Sequence, residues 1–318
     1  MKTALLRRLA SSVVVFVMAT ALTSIPVVSA HAAPRHDSTG ETVAYKLHIV
    51  AHDNGVNSFY FNMPGTTSSG LNDITFVNEG TVPHMAQLAL LHPGVSETQF
   101  LTDLLAVVGP NSTPAQDQKL FGEVTAYGGS DSLVQGRSQE VFEWLPAGHY
   151  VVFCLDGEPP HFTMGMHHTL IVKPAEHATS AHPAHVDGTV LQQDMNKQTG
   201  SFGFVLPKEV LAQHRTLVIA VKNTSEDETH EFQIFRLPTG TTRDQLGACI
   251  LPPGTNCTIP FEAFQDFGGD GGHGPGITSW VVLHLEPGTY GVICFLPDLN
   301  TGIPHAFMGM YDVFNVNR

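Results

Sequence analysis

The chain has 318 residues, enough for two domains of ordinary size, each with its own core. Only 14% of residues are charged, and 30 Gly and 21 Pro punctuate it, which suits short strands and turns rather than long helices. The 29 acidic side chains outnumber 15 Lys and Arg, a formal charge of −14 that argues against a nucleic-acid partner.

Lys2, Arg7 and Arg8 precede an apolar stretch from Val13 to Val28, followed by Ala30-His31-Ala32. This reads as a secretory signal over residues 1–33 with an A-x-A cleavage site. The apolar run is short and broken by Pro26, which favours cleavage over a membrane anchor. No other segment approaches a transmembrane length. The expected product is exported, to the extracellular space or the periplasm and cell envelope, with no membrane span.

Residues 34–44 are polar and expected to be disordered. From Tyr45, short apolar runs rich in β-branched and aromatic residues alternate with turns: YKLHIVAH, SFYFNMP and DITFVNEG. The second half opens in the same way, with GTVLQQDM, SFGFVLP and LVIAVKNTS. Helices are expected around Thr98 to Val107 and Arg243 to Leu246.

Phe121–Tyr150 aligns without a gap on Phe261–Tyr290 at an offset of 140, and the same offset carries Cys154 onto Cys294. Self-similarity on this scale indicates duplication of one domain. We therefore expect an all-β protein with domains at 45–173 and 188–318. The small-residue segment 174–187 between them reads as a mobile, extended linker.

Each half repeats one constellation. Asn78 leads through a polar turn to His84, and Asn223 leads to His230. Later, Cys154 follows an apolar run and precedes His161 and Met166; Cys294 likewise precedes His305 and Met310. Thiolate, imidazole and thioether are the ligand types of a copper electron-transfer site. A lone cysteine at a strand end is usually a small buried hydrophobe, and the repeated order is what raises these residues above that background. Cys249 and Cys257 have no counterparts in the first half. With seven residues between them around a Pro-Pro-Gly turn, they are expected to form a local disulfide.

Asn-x5-His followed by Cys, then Pro-His-x3-Gly-Met, resembles the type 1 copper motif of the plastocyanin-like cupredoxins. The resemblance implies two Greek-key β-sandwich or barrel domains, with short helical insertions here. It also implies copper held by His84, Cys154, His161 and Met166, and by His230, Cys294, His305 and Met310. Asn78 and Asn223 would correspond to the family's loop-tying asparagine. The pattern departs from the family in the Cys-to-His loops, which hold six residues in the first half and ten in the second instead of two. Met164 and Met308 are competing thioethers; Met166 and Met310 match the family's Gly-Met step.

The leading expectation is one-electron transfer with a redox partner protein or a small-molecule donor or acceptor. Copper storage or delivery, a two-domain multicopper oxidase of the nitrite reductase or laccase kind, and a fold without copper are the alternatives. No His-x-His pair occurs in either domain, and no histidine flanks either ligand cysteine, which disfavours the oxidase. His167 and His168 are expected to begin a strand. His177, His182 and His185 read as solvated linker residues, and His273 as a loop residue without an obvious partner.

Overall fold

Alternating apolar side chains give most strands one face for a core, and two sheets bury those faces against each other. The computed structural model describes residues 43–318, apart from 55, 109–111, 178, 197–200 and 252–256. The expected signal segment, and all but the last two residues of 34–44, lie outside the described residues. Those last two are held in place: Val43 N–H donates to Ser180 Oγ at 3.0 Å, and Tyr45 opens the first strand.

The first half contributes β1 (Tyr45–Asp53), β2 (Phe59–Asn62), β3 (Thr66–Ser68), β4 (Gly70–Asn78), β5 (His84–Leu91), β6 (Val124–Leu133), β7 (Ser138–Leu145), β8 (Gly148–Phe153) and β9 (His167–Lys173). The second contributes β10 (Gly188–Asn196), β11 (Ser201–Val205), β12 (Thr216–Asn223), β13 (His230–Leu237), β14 (Gln265–His273), β15 (Thr278–His284), β16 (Gly288–Ile293) and β17 (Tyr311–Val316). In each half one sheet receives the third-from-last hairpin strand beside an earlier one, β7 beside β4 and β15 beside β12, while β8 and β16 return beside β5 and β13. These are Greek-key crossovers. Tyr150 and Tyr290, both fully buried, each donate a hydroxyl hydrogen bond to a carbonyl four residues earlier, Pro146 at 2.9 Å and Glu286 at 3.0 Å.

Both sheets run through both halves. Their orders are β11-β10-β12-β15-β7-β4-β1-β2 and β17-β16-β13-β14-β6-β5-β8-β9-β3. The joins are antiparallel and self-complementary. Val281 pairs with Val141, flanked by Trp280 with Phe142 and Val282 with Glu140. Asp270 pairs with Ser130, flanked by Phe267 with Leu133 and His273 with Tyr127. Since the repeat offset is 140, Val141/Val281 and Ser130/Asp270 lie on a local two-fold axis, the symmetry of an isologous dimer built into one chain. One core follows, from Leu47, Ile74 and Val152 to Ile219, Phe232 and Val292.

The linker differs from expectation. Leu71 N–H donates to Thr179 Oγ1 at 2.8 Å, Tyr45 Oη–H donates to the His177 carbonyl at 3.1 Å, and the His182 ring lies 6.5 Å from that of Trp280. With the halves already fixed by shared sheets, the connector has a surface to lie on and its polar groups pair there.

Helices α1 (Glu97–Val107) and α4 (Arg243–Ile250) fall where expected; α2 (Pro114–Glu123) and α3 (Lys208–Leu211) were not anticipated. Thr113 and Gln116 form a capping box on α2 with Pro114 in its first turn. Phe100, Leu104 and Leu120 of α1 and α2 pack on Val151 and Phe153 of β8, over the outer face of that sheet.

Candidate metal centres

β8 delivers Cys154 to the end of the sandwich, and the loop after it is closed by its own backbone. Cys154 N–H donates to the Met166 carbonyl at 3.2 Å, Phe162 N–H to the Cys154 carbonyl at 3.0 Å, and Met166 N–H to the His161 carbonyl at 3.0 Å. His161–Met164 forms one 3₁₀ turn that ends on Gly165 at φ 104°, a conformation side chains other than hydrogen rarely adopt. That glycine is why the Met-Gly-Met step can turn Met166 back beside Cys154. The second half repeats the device with Cys294, the turn His305–Met308 and Gly309 at φ 107°.

The remaining histidine comes from the start of β5 or β13, steered by an asparagine. Asn78 Nδ2 donates to the carbonyls of Val82 at 2.8 Å and Leu133 at 2.7 Å, and its Oδ1 accepts from Gly80 N–H at 2.8 Å. Asn223 repeats this with Glu228 and His273, both at 2.8 Å, and with Ser225 N–H at 2.9 Å.

In the first centre His84 Nδ1 and His161 Nδ1 stand 3.0 Å apart, and Cys154 Sγ lies 3.8 Å and 3.6 Å from them. Donors bound to one ion at about 2.0–2.1 Å for nitrogen and about 2.3 Å for sulfur lie about 3.3–3.8 Å from each other at trigonal to tetrahedral angles, and two nitrogens about 3.0 Å apart subtend about 95° at the ion. The sulfur–nitrogen spacings therefore fit an ion among the three atoms, with the two imidazoles slightly closer to each other than a regular site would hold them. In the second centre the nitrogens of His230 and His305 are again 3.0 Å apart, with Cys294 Sγ 3.5 Å from His305 Nδ1. Each half thus carries a His–Cys–His group able to hold copper. Met166 and Met310 are fully buried and pack in the same clusters as Cys154 and Cys294, while Met164 and Met308 are only partly buried.

Burial sets the protonation chemistry. Desolvation lowers His161 to about 4, helped by the neighbouring His84, and lowers His230 and His305 to about 4 as well. Neutral imidazoles are the form a metal needs. Desolvation, and secondarily Asp156, pushes the Cys154 thiol up; burial and then Glu231 do the same to Cys294. Binding an ion must therefore displace a thiol proton, which the ion's charge makes favourable. Met85 N–H and Glu231 N–H each approach the local sulfur at 3.5 Å.

Several contributors escaped the sequence reading. Asp53 Oδ2 lies 2.8 Å from His84 Nε2, which assigns the proton to Nε2 and leaves Nδ1 as a lone pair. Its repeat equivalent Asp194 stands 3.5 Å from His230 Nε2. Phe59 stacks on His161 with centroids 4.4 Å apart, and Phe202 covers His305 at 4.1 Å. Asp53 faces Phe59 across one ladder and Asp194 faces Phe202 across another, so the pairing recurs in both halves. The signal was present at the repeated strand ends, but neither residue type announces a ligand.

The longer second loop is folded rather than loose. Gly302 N–H donates to the Asp298 carbonyl at 2.7 Å, Leu299 N–H reaches the Glu228 carboxylate at 3.3 Å, and Gln118 of α2 donates to the Leu299 carbonyl at 2.7 Å. It buries the second centre completely, whereas His161 of the first keeps 4% exposure. Away from both centres, Cys249 and Cys257 are joined by a disulfide. His167 and His168 begin β9, with His167 Nδ1 2.9 Å from Glu97. His273 departs from the expected loop position: it ends β14, fully buried beside Glu143 and Asp270.

A duplicated Greek-key β-sandwich with one buried His–Cys–His group per half is the class these observations define. Among solved structures the chain is similar to a multicopper oxidase, to auracyanins and to copper nitrite reductases. A multicopper oxidase is 18% identical over 87% of this chain and 93% of that chain, with a TM-score of 0.24. Reduced auracyanin from the photosynthetic bacterium Roseiflexus castenholzii is 21% identical over 42% of this chain and 99% of that chain, with a TM-score of 0.28. Copper nitrite reductase from Nitrosomonas europaea is 14% identical over 87% and 95% of the two chains, with a TM-score of 0.23. No family model and no curated protein matches the sequence.

Proposed function

We propose that this is an exported copper protein with two type 1-like centres that pass single electrons. The observation that carries the reading is the convergence, in both halves, of one buried sulfur and two facing Nδ1 atoms at metal-ligand spacing. Copper would supply the Cu(I)/Cu(II) couple. His84, Cys154, His161 and Met166 would hold one ion, and His230, Cys294, His305 and Met310 the other. The chain's own contribution is rigidity: ligands on strand ends and a hydrogen-bonded loop limit rearrangement between the two charge states.

The 4% exposure of His161 favours electron entry at the first centre, beside the partly buried Met164 of the same turn. Onward transfer has a bonded route. Each sulfur accepts a backbone N–H from β5 or β13, and those strands are joined through β6 and β14. Export rests on the N-terminal sequence, and among the described residues no helix is long and apolar enough to cross a membrane.

The test is Cu(II) titration of the mature chain with metal analysis and a visible spectrum. Two coppers per chain with an intense thiolate-to-Cu(II) band support the reading, and Cys154→Ala and Cys294→Ala should each remove one copper and its share of the band. Tight Cu(I) binding without that band would favour storage or delivery. Unchanged copper affinity in both cysteine variants would refute copper binding at these centres.

A further inference from the structure

We propose that Glu143, Asp270 and His273 form a third metal site, at the join between the halves, that takes one zinc-type divalent cation. His273 Nε2 lies 3.2 Å from Asp270 Oδ2 and 3.5 Å from Glu143 Oε1, and all three residues are 0% exposed. Ligands about 2.1 Å from one ion sit at this mutual spacing. Apart from the contact between the Glu143 and Asp270 carboxyls themselves, Glu143 Oε2, Asp270 Oδ1 and His273 Nδ1 meet no hydrogen-bond partner, so the cluster is under-satisfied as a purely polar network. Two carboxylates and an imidazole, with no sulfur, are hard-to-borderline donors that suit zinc or another divalent first-row ion over Cu(I). A double positive charge would balance both carboxylates where water cannot.

The duplication supplies an internal control. Residues 140 away from Glu143, Asp270 and His273 are Leu283, Ser130 and Leu133, which occupy the corresponding place across the local two-fold. The halves are thus docked on the other side without this carboxylate and imidazole set, there around Arg137 stacked on Phe267. Buried charges that an apolar solution could replace call for a further stabilising partner. Gly128 makes room for the set: at φ +69° it has no side chain, and a Cβ there would fall under 3.0 Å from His273 Nε2, Glu143 Oε1 and Asp270 Oδ1. Gly129 N–H donates to Glu143 Oε1 at 3.1 Å, and Ser279 Oγ–H donates to Asp270, orienting both carboxylates. His273 also lies opposite His230 in the β13–β14 register, so the cation would sit one cross-strand step from a ligand of the second centre.

The experiment uses the full chain, saturated anaerobically with Cu(I) at the cysteine centres, refolded or equilibrated with Zn(II), and freed of unbound metal. One zinc per chain beyond the bound copper is expected. The variant carrying Glu143→Leu, Asp270→Ser and His273→Leu uses the residues found across the two-fold; it should keep its copper and bind no zinc at this site. His273→Gln alone should weaken zinc binding at least tenfold. No zinc in the wild-type chain, or zinc retained undiminished by both variants, overturns the proposal whatever the copper count.

Discussion

Removing the Asp53 carboxylate should separate the two centres. Its Oδ2 accepts from His84 Nε2–H at 2.8 Å and from Thr81 N–H at 2.6 Å, inside a pocket where both side chains of the His–Asp pair are fully buried. Asp53→Ala leaves the imidazole N–H unpaired, a cost of about 1–3 kcal/mol, and frees the ring to take the wrong tautomer. Losing such an outer partner weakens metal affinity by about 10–100-fold, equivalent to about 1.4–2.7 kcal/mol. Asp194→Ala should cost less than tenfold, because its carboxylate stands 3.5 Å from His230 Nε2, beyond good hydrogen-bond length. Asp53→Asn retains an acceptor and should lie between wild type and Asp53→Ala. The assay is competitive Cu(I) titration against a chelator, with Cys294→Ala isolating the first centre and Cys154→Ala the second. Equal losses at the two centres, or none for Asp53→Ala, would refute the argument.

Two further outcomes concern the metal-free protein. His161, His230 and His305 are held near 4 when folded against 6.5 as the ordinary value, so at these sites the unfolded chain binds more protons and their contribution to stability is lost as pH drops from 6.5 towards 4. Asp266 is raised from 3.8 to about 8 by burial and then by Asp156, so its contribution is present at low pH and lost as pH rises towards 8. Asp266→Asn should therefore lessen the loss of thermal stability as pH rises towards 8, and an unchanged slope over that range would contradict the assignment. Separately, the Cys249–Cys257 bond closes a sequence separation of 8, for which chain-entropy scaling gives about 2–3 kcal/mol. Paired replacement by Ser should lower stability by that order in denaturant titrations while leaving copper stoichiometry intact.

Much of each centre was legible because its ligands are local. Cysteine, histidine and methionine lie in one loop, and the same order written twice marks them whatever fold surrounds them. The asparagine-led histidines were legible for the same reason. Helix α2 was missed although Thr113, Pro114 and Gln116 spell its cap, since its apolar residues are few and its stability comes from packing on β8. Asp53 and Phe59 were missed because their roles arise across a ladder, where ordinary strand residues acquire a ring to hold.

The sequence by itself determined the duplication, the β character and the identity of the soft donors, because these are properties of periodicity, spacing and side-chain chemistry. Only the tertiary structure decided that two edge strands of each half would pair about a local two-fold. That pairing turns two domains into continuous sheets and gives the linker a surface. It also brings Glu143 against His273, 130 residues away in sequence. No local pattern encodes such a meeting, since edge pairing is chosen by the register of whole strands and by the apolar faces they bury together.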